Sequence, residues 1–567
     1  MKNENKSHLE MNTKTDRKTD RKANIKVNKK LAGIAAVHWL ITFASDRIFF
    51  AYSLFDFSNG KQSLLSLYGW GIKFAFLLVL FLLWQVTGWV YTQYREGNEA
   101  VRKRIWYSGI YFGLMLLLLV CVWPGAWRMD EFGILRDAKT LMPTFWQGYL
   151  TSLFYMFSLM LIPTPAGVVI VQCFVNACCM GYVCEKAEKI LGVKHRFLLL
   201  LPFLAFPVLD SNMYPMRMSV YVFLELFLAA VFLSAVWEKR KLTKAEHVLA
   251  VMVTALLAVW RTEGIYYLVW IPVVYLVIFW KQENRKHKIS FIASVAVTTI
   301  LVMVPQTVGN KLVSGDQYEI TSMVLPIAPL LCEAEGEQEK AELIEAVDKV
   351  IDTDLMIAGY RSGKSGISVF WSEPTLIRTG YSSKEYAEFK SAYYGLILSY
   401  PKVFLQERWY TFTHSYGILN DTRELFDSTE VMNYMEFREN YAGVKGISSR
   451  LRSGILSVLE LWDLSKPTEK SPLFTYVYSF LPSLAVLILA SIIFMGKKNY
   501  KVLVVLLGVL GKVPLIFLTA PSLLFMYYYG IYLIGTVGFV YGVIYYAKKA
   551  KNAEKLSGSR NEIFKKS

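Results

Sequence analysis

The chain has 567 residues, 54% of them hydrophobic and 15% aromatic, with a mean hydropathy of +0.34 and a formal net charge of +17. That apolar share is above what water-soluble domains carry, and it excludes the disordered, fibrous and ordinary globular classes. The pattern predicts an all-α polytopic membrane protein with about twelve apolar segments, each near the roughly 20 residues a helix needs to cross about 30 Å of hydrocarbon. They centre near residues 43, 82, 114, 175, 203, 227, 253, 272, 298, 484, 509 and 534.

Residues 1–30 form an apolar-poor tail rich in Lys and Arg, which the positive-inside bias assigns to the cytoplasm. The tail runs directly into the first span with no small-residue cleavage site, so that span reads as an uncleaved signal-anchor. Twelve crossings then bring the loops at 94–104, 185–196, 238–247, 281–288 and 497–501 and the tail 547–567 to the same side. With the N-terminal tail, these hold more than half of the 62 Lys and Arg. The positive charge is therefore a topology signal, with some attraction to anionic membrane lipids, and needs no nucleic-acid partner. The expected organisation is a transmembrane core over 31–308 with an external loop at 123–165, an extracytoplasmic domain over 309–472, and closing spans over 473–546. Both termini are expected in the cytoplasm and the chain in the plasma membrane. Five of the six cysteines lie in apolar stretches, at spacings that match no zinc site, and read as small hydrophobes.

The first external loop opens with Trp123-Pro124-Gly125-Ala126-Trp127-Arg128-Met129-Asp130-Glu131. Two adjacent carboxylates at the mouth of a membrane helix, among tryptophans expected at the interface, point to chemistry beside a protein cavity. The plain alternative is a solvated acidic turn after a helix-stopping Pro-Gly. Residues 145–162 are apolar, but a full crossing there would force the basic loop at 186–196 outside. This segment is therefore expected to lie at the outer interface or dip in and back. Further along, Asp210 with Arg217, and Arg261 with Glu263, put charges at outer helix ends level with Asp130. Each pair alone reads equally as an internal ion pair or a snorkelling arginine; together they suggest one shared cavity. Inside the spans, Asp46 with Arg47 and the isolated Lys512 fall near estimated helix ends, where snorkelling is the commoner explanation.

The late external region is mildly acidic and reads as mainly helical. Apolar residues spaced by three and four predict an amphipathic helix over 337–357. Ser382 and Glu385 read as a capping box. Residues 402–416, with Arg408 and His414, read as an interfacial helix roofing the membrane domain; His414 is a candidate base or an ordinary surface histidine. Arg361-Ser362-Gly363-Lys364-Ser365-Gly366 ends like a Walker loop but lacks the upstream glycine.

This order of parts resembles the integral-membrane glycosyltransferases of the C-type fold (GT-C): a basic tail, an external loop with an acidic pair, a membrane-lying helix, many spans and a late external domain. The group includes the dolichyl-phosphate-mannose protein mannosyltransferases and the lipid A aminoarabinose transferases. The wording around Asp130 and Glu131, then Trp146-Gln147-Gly148-Tyr149-Leu150-Thr151, then Arg261-Thr262-Glu263-Gly264, is similar to bacterial membrane proteins associated with that group. The resemblance covers residues 30–288 in organisation and only the first loop in motif. Here the acidic loop follows the third span instead of the first, and the His-Pro-Pro segment of the mannosyltransferases is absent. The resemblance implies a polyprenyl-phosphate sugar donor and an envelope glycan, lipid or protein as acceptor. It implies Asp130 as general base, with Glu131 raising the proton affinity of the pair or holding a divalent cation, and no other cofactor. Arg217 and Arg261, and more weakly Arg408, would hold the donor phosphate, supported by Asp210 and Glu263. A transporter or flippase for a lipid-linked saccharide, and a polysaccharide polymerase or assembly protein, share the same outline.

Overall fold

The computed structural model describes residues 28–127, 129–143, 148–193, 195–313, 317–372, 374–415, 446–463 and 470–566. Arg128, Trp146, Gln147, most of the N-terminal tail and residues 416–445 lie outside these. Among the described residues all regular structure is helical, apart from two isolated bridges, Ile351 with Ile377 and Trp462 with Lys470. The first half comprises α1 (Lys29–Phe49), α2 (Gly60–Arg95), α3 (Glu99–Cys121), α4 (Met129–Lys139), α5 (Tyr149–Leu161), α6 (Pro165–Leu191), α7 (Phe206–Met213), α8 (Arg217–Trp237), α9 (Lys244–Trp260), α10 (Tyr267–Phe279) and α11 (Arg285–Val313). The second half adds α12 (Ser383–Ser399), α13 (Pro401–Thr413), α14 (Ser449–Leu459), α15 (Leu481–Gly496), α16 (Tyr500–Leu510), α17 (Lys512–Thr519) and α18 (Tyr529–Lys566), besides short helices between residues 317 and 370.

Eight of the described helices are long and apolar enough to cross a membrane, or nine if one bent pair counts as a span. All twelve apolar centres of the sequence fall on helices. Those near 43, 253 and 484 lie on α1, α9 and α15, which are shorter or more polar than a full crossing requires, and that near 203 lies on the 3-10 stretch Arg196–Leu204, bent by 67° against α7. Pro202 and Pro207 account for the bend, since neither can donate to a helical ladder. At 13 residues, α5 reaches only about 20 Å, too short for a full crossing.

The chain divides into two compact units, residues 1–48 with 53–101, and residues 49–52 with 102–567. In the first, Lys73 is fully buried, with its ammonium 2.5 Å from Asp46 and 2.9 Å from the Thr42 hydroxyl. Asp46 is thus buried and matched across two helices by Lys73, which corrects its reading as a snorkelling charge near a helix end.

In the second unit a buried polar ladder fixes the bent pair against α6. Gln172 donates to the Tyr214 carbonyl (2.7 Å), Asn176 to the Asn212 side chain (2.7 Å), and Asn212 to the Tyr111 hydroxyl (3.0 Å). Where the basic loops gather, buried glutamates neutralise them. Arg104 pairs with Glu185 (3.0 Å), Lys103 and Arg196 with Glu188 (3.0 and 3.4 Å), and Lys189 and Arg240 with Glu238. The region after α11 has its own apolar core, from Ile320 through Val347, Met356 and Phe389 to Phe404. The single helix expected over 337–357 is instead two, Ala341–Asp348 and Thr353–Arg361. Asp352 caps the second by accepting from the Leu355 amide, while Asp348 turns to Arg378 and Thr353. The capping box at Ser382 and Glu385 forms as the sequence predicts.

Burial opposes ionisation of Glu238, but hydrogen bonds from Lys189 and Arg240 and the nearby Lys186 charge hold its carboxyl down from 4.5 to about 2. A carboxyl depressed on folding adds stability above its unfolded value, and that stability is lost as pH falls through the folded value. Glu238→Gln should therefore melt lower than wild type at neutral pH, with the gap closing between about pH 5 and about pH 2; melting curves across that range check it.

Candidate functional site

At the other ends of the same helices, three of the sequence-predicted residues, Asp210, Arg261 and Arg408, gather around one short stretch. After α17 the helix stops at Ala520-Pro521, and the chain passes through a 3-10 turn, Phe525–Tyr527, into α18. Four successive residues there meet four polar groups. The Tyr527 ring lies 5.3 Å from the Arg261 guanidinium. Tyr528, fully buried and stacked on Phe480 at 4.0 Å, lies beside Arg408. Tyr529 lies within electrostatic reach of Asp210. Gly530 abuts Glu225 and Lys512.

Each partner is positioned by a break in a helix. Arg261 has extended backbone at the end of α9, is 4% exposed, and is ion-paired through Nε with Glu263. The turn after it requires glycine, because a Cβ at Gly264 would lie 1.9 Å from the Leu257 carbonyl oxygen. This accounts for the Arg-Thr-Glu-Gly wording. Arg217 opens α8, where a cation opposes the helix dipole at a cost of about 0.3–1 kcal/mol; its guanidinium lies against Gly148, whose φ is +81°. Asp210 accepts from the Tyr478 hydroxyl, which donates to Oδ2 at 2.7 Å. Burial, then the Asp210 charge, push that hydroxyl well above the ordinary tyrosine range. The buried guanidinium of Arg408 donates from Nη1 to the Ala520 carbonyl at 2.9 Å.

The acidic loop reaches this region through α5. The Ala126 amide donates to the Met213 carbonyl (2.8 Å), and Arg452 on α14 donates to the Gly125 carbonyl (3.0 Å). Gly125, with φ +108°, has no room for a side chain between Val169 and Met213. Trp127 was expected at the lipid interface; it is instead fully buried, because its ring packs between Phe132 and Tyr155. Tyr155 in turn donates to the Pro215 carbonyl at 2.6 Å, two residues before Arg217. Trp260 donates to the Thr151 hydroxyl on α5 at 2.9 Å, so α5 touches the acidic loop, the Arg217 turn and the Arg261 turn. Asp130 and Glu131 occupy the first turn of α4, where negative charge suits the helix dipole. Asp130 is exposed and Glu131 is 7% exposed. Successive helical residues diverge by about 100°, and among the described residues no group of three or more His, Cys, Asp or Glu could hold a metal ion. His414 stacks on Tyr410 at 4.0 Å and bonds the Thr413 hydroxyl, a helix-end role.

One feature escaped the sequence reading. Lys512 is not a snorkelling cation: it is 2% exposed and ion-paired with Glu225, also 2% exposed, which further accepts from the Tyr267 hydroxyl at 2.7 Å. A lone glutamate within the apolar run of α8 was the available signal. A cleft beside the pair is lined by Glu225, Phe232, Tyr267, Trp270, Gly508 and Ile534.

The fold and this end of it define a polytopic helical membrane protein with an ionisable interior. Comparison with known protein families, characterised proteins and solved structures finds no match.

A Cβ at Gly530 would sit 2.1 Å from Glu225 Oε2 and 2.7 Å from Lys512 Nζ, whereas one at Gly538, two turns on, meets nothing within 4 Å. Gly530→Ala should destabilise by about 1–3 kcal/mol and Gly538→Ala should be tolerated, as read by thermal unfolding of the two variants in the same detergent.

Proposed function

We propose that the chain is a membrane glycosyltransferase of the GT-C kind, moving a sugar from a polyprenyl-phosphate donor to an envelope glycan, lipid or protein. On this reading all twelve apolar segments cross or enter the plasma membrane, both termini are cytoplasmic, and the chemistry lies at the end opposite the basic loops. The carrying observation is the common support of three turns by α5: the acidic loop, the Arg217 turn and the Arg261 turn. An acceptor hydroxyl oxygen bonds to the anomeric carbon as the bond from that carbon to the phosphate oxygen breaks. The electron pair leaves with the polyprenyl phosphate and the hydroxyl proton passes to Asp130. Asp130 suits the base because it is exposed, while its neighbour Glu131 is buried. Preorganised positive charge favours the departing phosphate. Arg217 and Arg261 supply it; Glu263 holds Arg261 in place, and the Asp210–Tyr478 bond fixes the adjoining turn.

A general base contributes about 10²–10⁴-fold. Asp130→Asn should lower transfer by that factor in a membrane assay, while a polyprenyl-phosphate sugar still co-purifies with the variant. Loss of that lipid from an Arg217→Ala, Arg261→Ala double variant, read by mass spectrometry, would support the clamp. Undiminished transfer by Asp130→Asn removes Asp130 from the mechanism.

A second reading, transport of a lipid-linked saccharide, is favoured by the Glu225–Lys512 pair, since ionisable groups deep in spans commonly mark translocation paths. It predicts substrate accumulation in proteoliposomes without a covalent product, abolished by Glu225→Gln. Formation of a glycosylated product without accumulation decides for the transferase.

A further inference from the structure

Arg408 is 0% exposed, and of its donors only Nη1 has an acceptor, the Ala520 carbonyl. Nε and Nη2 are buried without a hydrogen-bond partner among the described residues. These two N–H groups share one edge of the guanidinium plane, the fork that meets two oxygens of a phosphate or carboxylate side by side. Among the described residues no carboxylate takes that edge. The neighbouring Glu407 accepts from the Thr411 hydroxyl at 3.1 Å, and burial raises its pKa toward the neutral acid. The Phe404 ring, 5.9 Å from the guanidinium carbon, offers only a weak cation–π contact. Beside Arg408 the Tyr528 hydroxyl is likewise buried and without a partner among the described residues. The titratable groups facing the guanidinium are thus Tyr393, Glu407 and Tyr528. A buried cation matched by so little is costly, and the cost falls when an anion joins it.

We propose that the Nε–Nη2 edge of Arg408 and the Tyr528 hydroxyl form a binding site for one phosphate group, and that the bound phosphate fastens α13 of the external region to the start of the last span. The site stands without the transferase reading; it rests on that reading only in naming the lipid-linked phosphate of the donor as its occupant. It also reverses the order the sequence suggested, in which Arg408 was the weakest of three phosphate ligands. Arg261 already has Glu263 as counter-ion, whereas Arg408 forms no ion pair among the described residues.

The full-length protein in detergent is titrated with polyprenyl monophosphate, phosphatidylglycerol and inorganic phosphate while its melting temperature is followed. Wild type should be stabilised by the polyprenyl phosphate at micromolar levels and by inorganic phosphate only at far higher concentration. Arg408→Met removes the uncompensated charge, so it should melt at or above wild type without ligand and show no ligand shift. Tyr528→Phe keeps the stack on Phe480 and should weaken the shift at least tenfold in concentration. Stabilisation by phosphatidylglycerol and polyprenyl phosphate alike keeps the site but makes its occupant an ordinary phospholipid. If no probe stabilises wild type and Arg408→Met melts lower, the arginine is structural and the proposal falls. Phosphate binding without sugar transfer removes the transferase and leaves the site; transfer surviving in Arg408→Met with no phosphate shift removes the site and leaves the transferase.

Discussion

The hydrocarbon interior of a bilayer offers no water, so a charge placed within it has to find its match in the protein. The Glu225–Lys512 pair meets that requirement by joining α8 to α17, and it does so against Gly530, where no side chain fits. Much of the far end of the molecule follows. With Gly530 held there, the three tyrosines before it are carried to Arg261, Arg408 and Asp210, which come from three separate stretches of chain. Glycines at 508 and 511 serve the same closeness on the neighbouring helix: a Cβ would lie 1.7 Å from the Trp270 ring nitrogen at Gly508 and 2.1 Å from the Tyr266 hydroxyl at Gly511.

The two ends of the bundle handle charge differently. Where the basic loops gather, every glutamate named has one or more cations, and Glu238 is held ionised by three. At the opposite end Arg261 pairs with the Glu263 carboxylate, and Arg408 donates to the Ala520 carbonyl. A satisfied network rigidifies. The first end is held rigid in this way by its ion pairs.

Hydropathy alone located the helices, because a stretch of about twenty apolar residues has few other uses. The capping box at Ser382 was equally legible, being a contact between residues three apart. What could not be read were pairings between distant positions. Asp210 meets Tyr478 across 268 residues and Glu225 meets Lys512 across 287, and nothing local in either stretch names its partner. Asp46 likewise meets Lys73 on the next helix, 27 residues on. Trp127 misled because tryptophans at helix ends commonly sit among lipid headgroups, whereas the turn at Gly125 folds this one inward. The helix over 337–357 looked continuous because its apolar spacing persists through Asp348–Asp352, where side-chain bonds to backbone and to Thr353 and Arg378 outweigh helical propensity.

The Glu225–Lys512 pairing also sets an order of events during synthesis. Glu225 enters the membrane with α8, while its partner lies 287 residues further on. At roughly 5–20 residues per second that interval is on the order of 15–60 s. For that time the nascent chain carries an acid in lipid, or at the edge of the insertion machinery, with no lysine to receive it. A ribosome that stalls or terminates before α17 leaves a membrane protein with an orphaned carboxyl in its core, a lesion that quality control can recognise. Completion of α17 is thereby the step that gives Glu225 its cation.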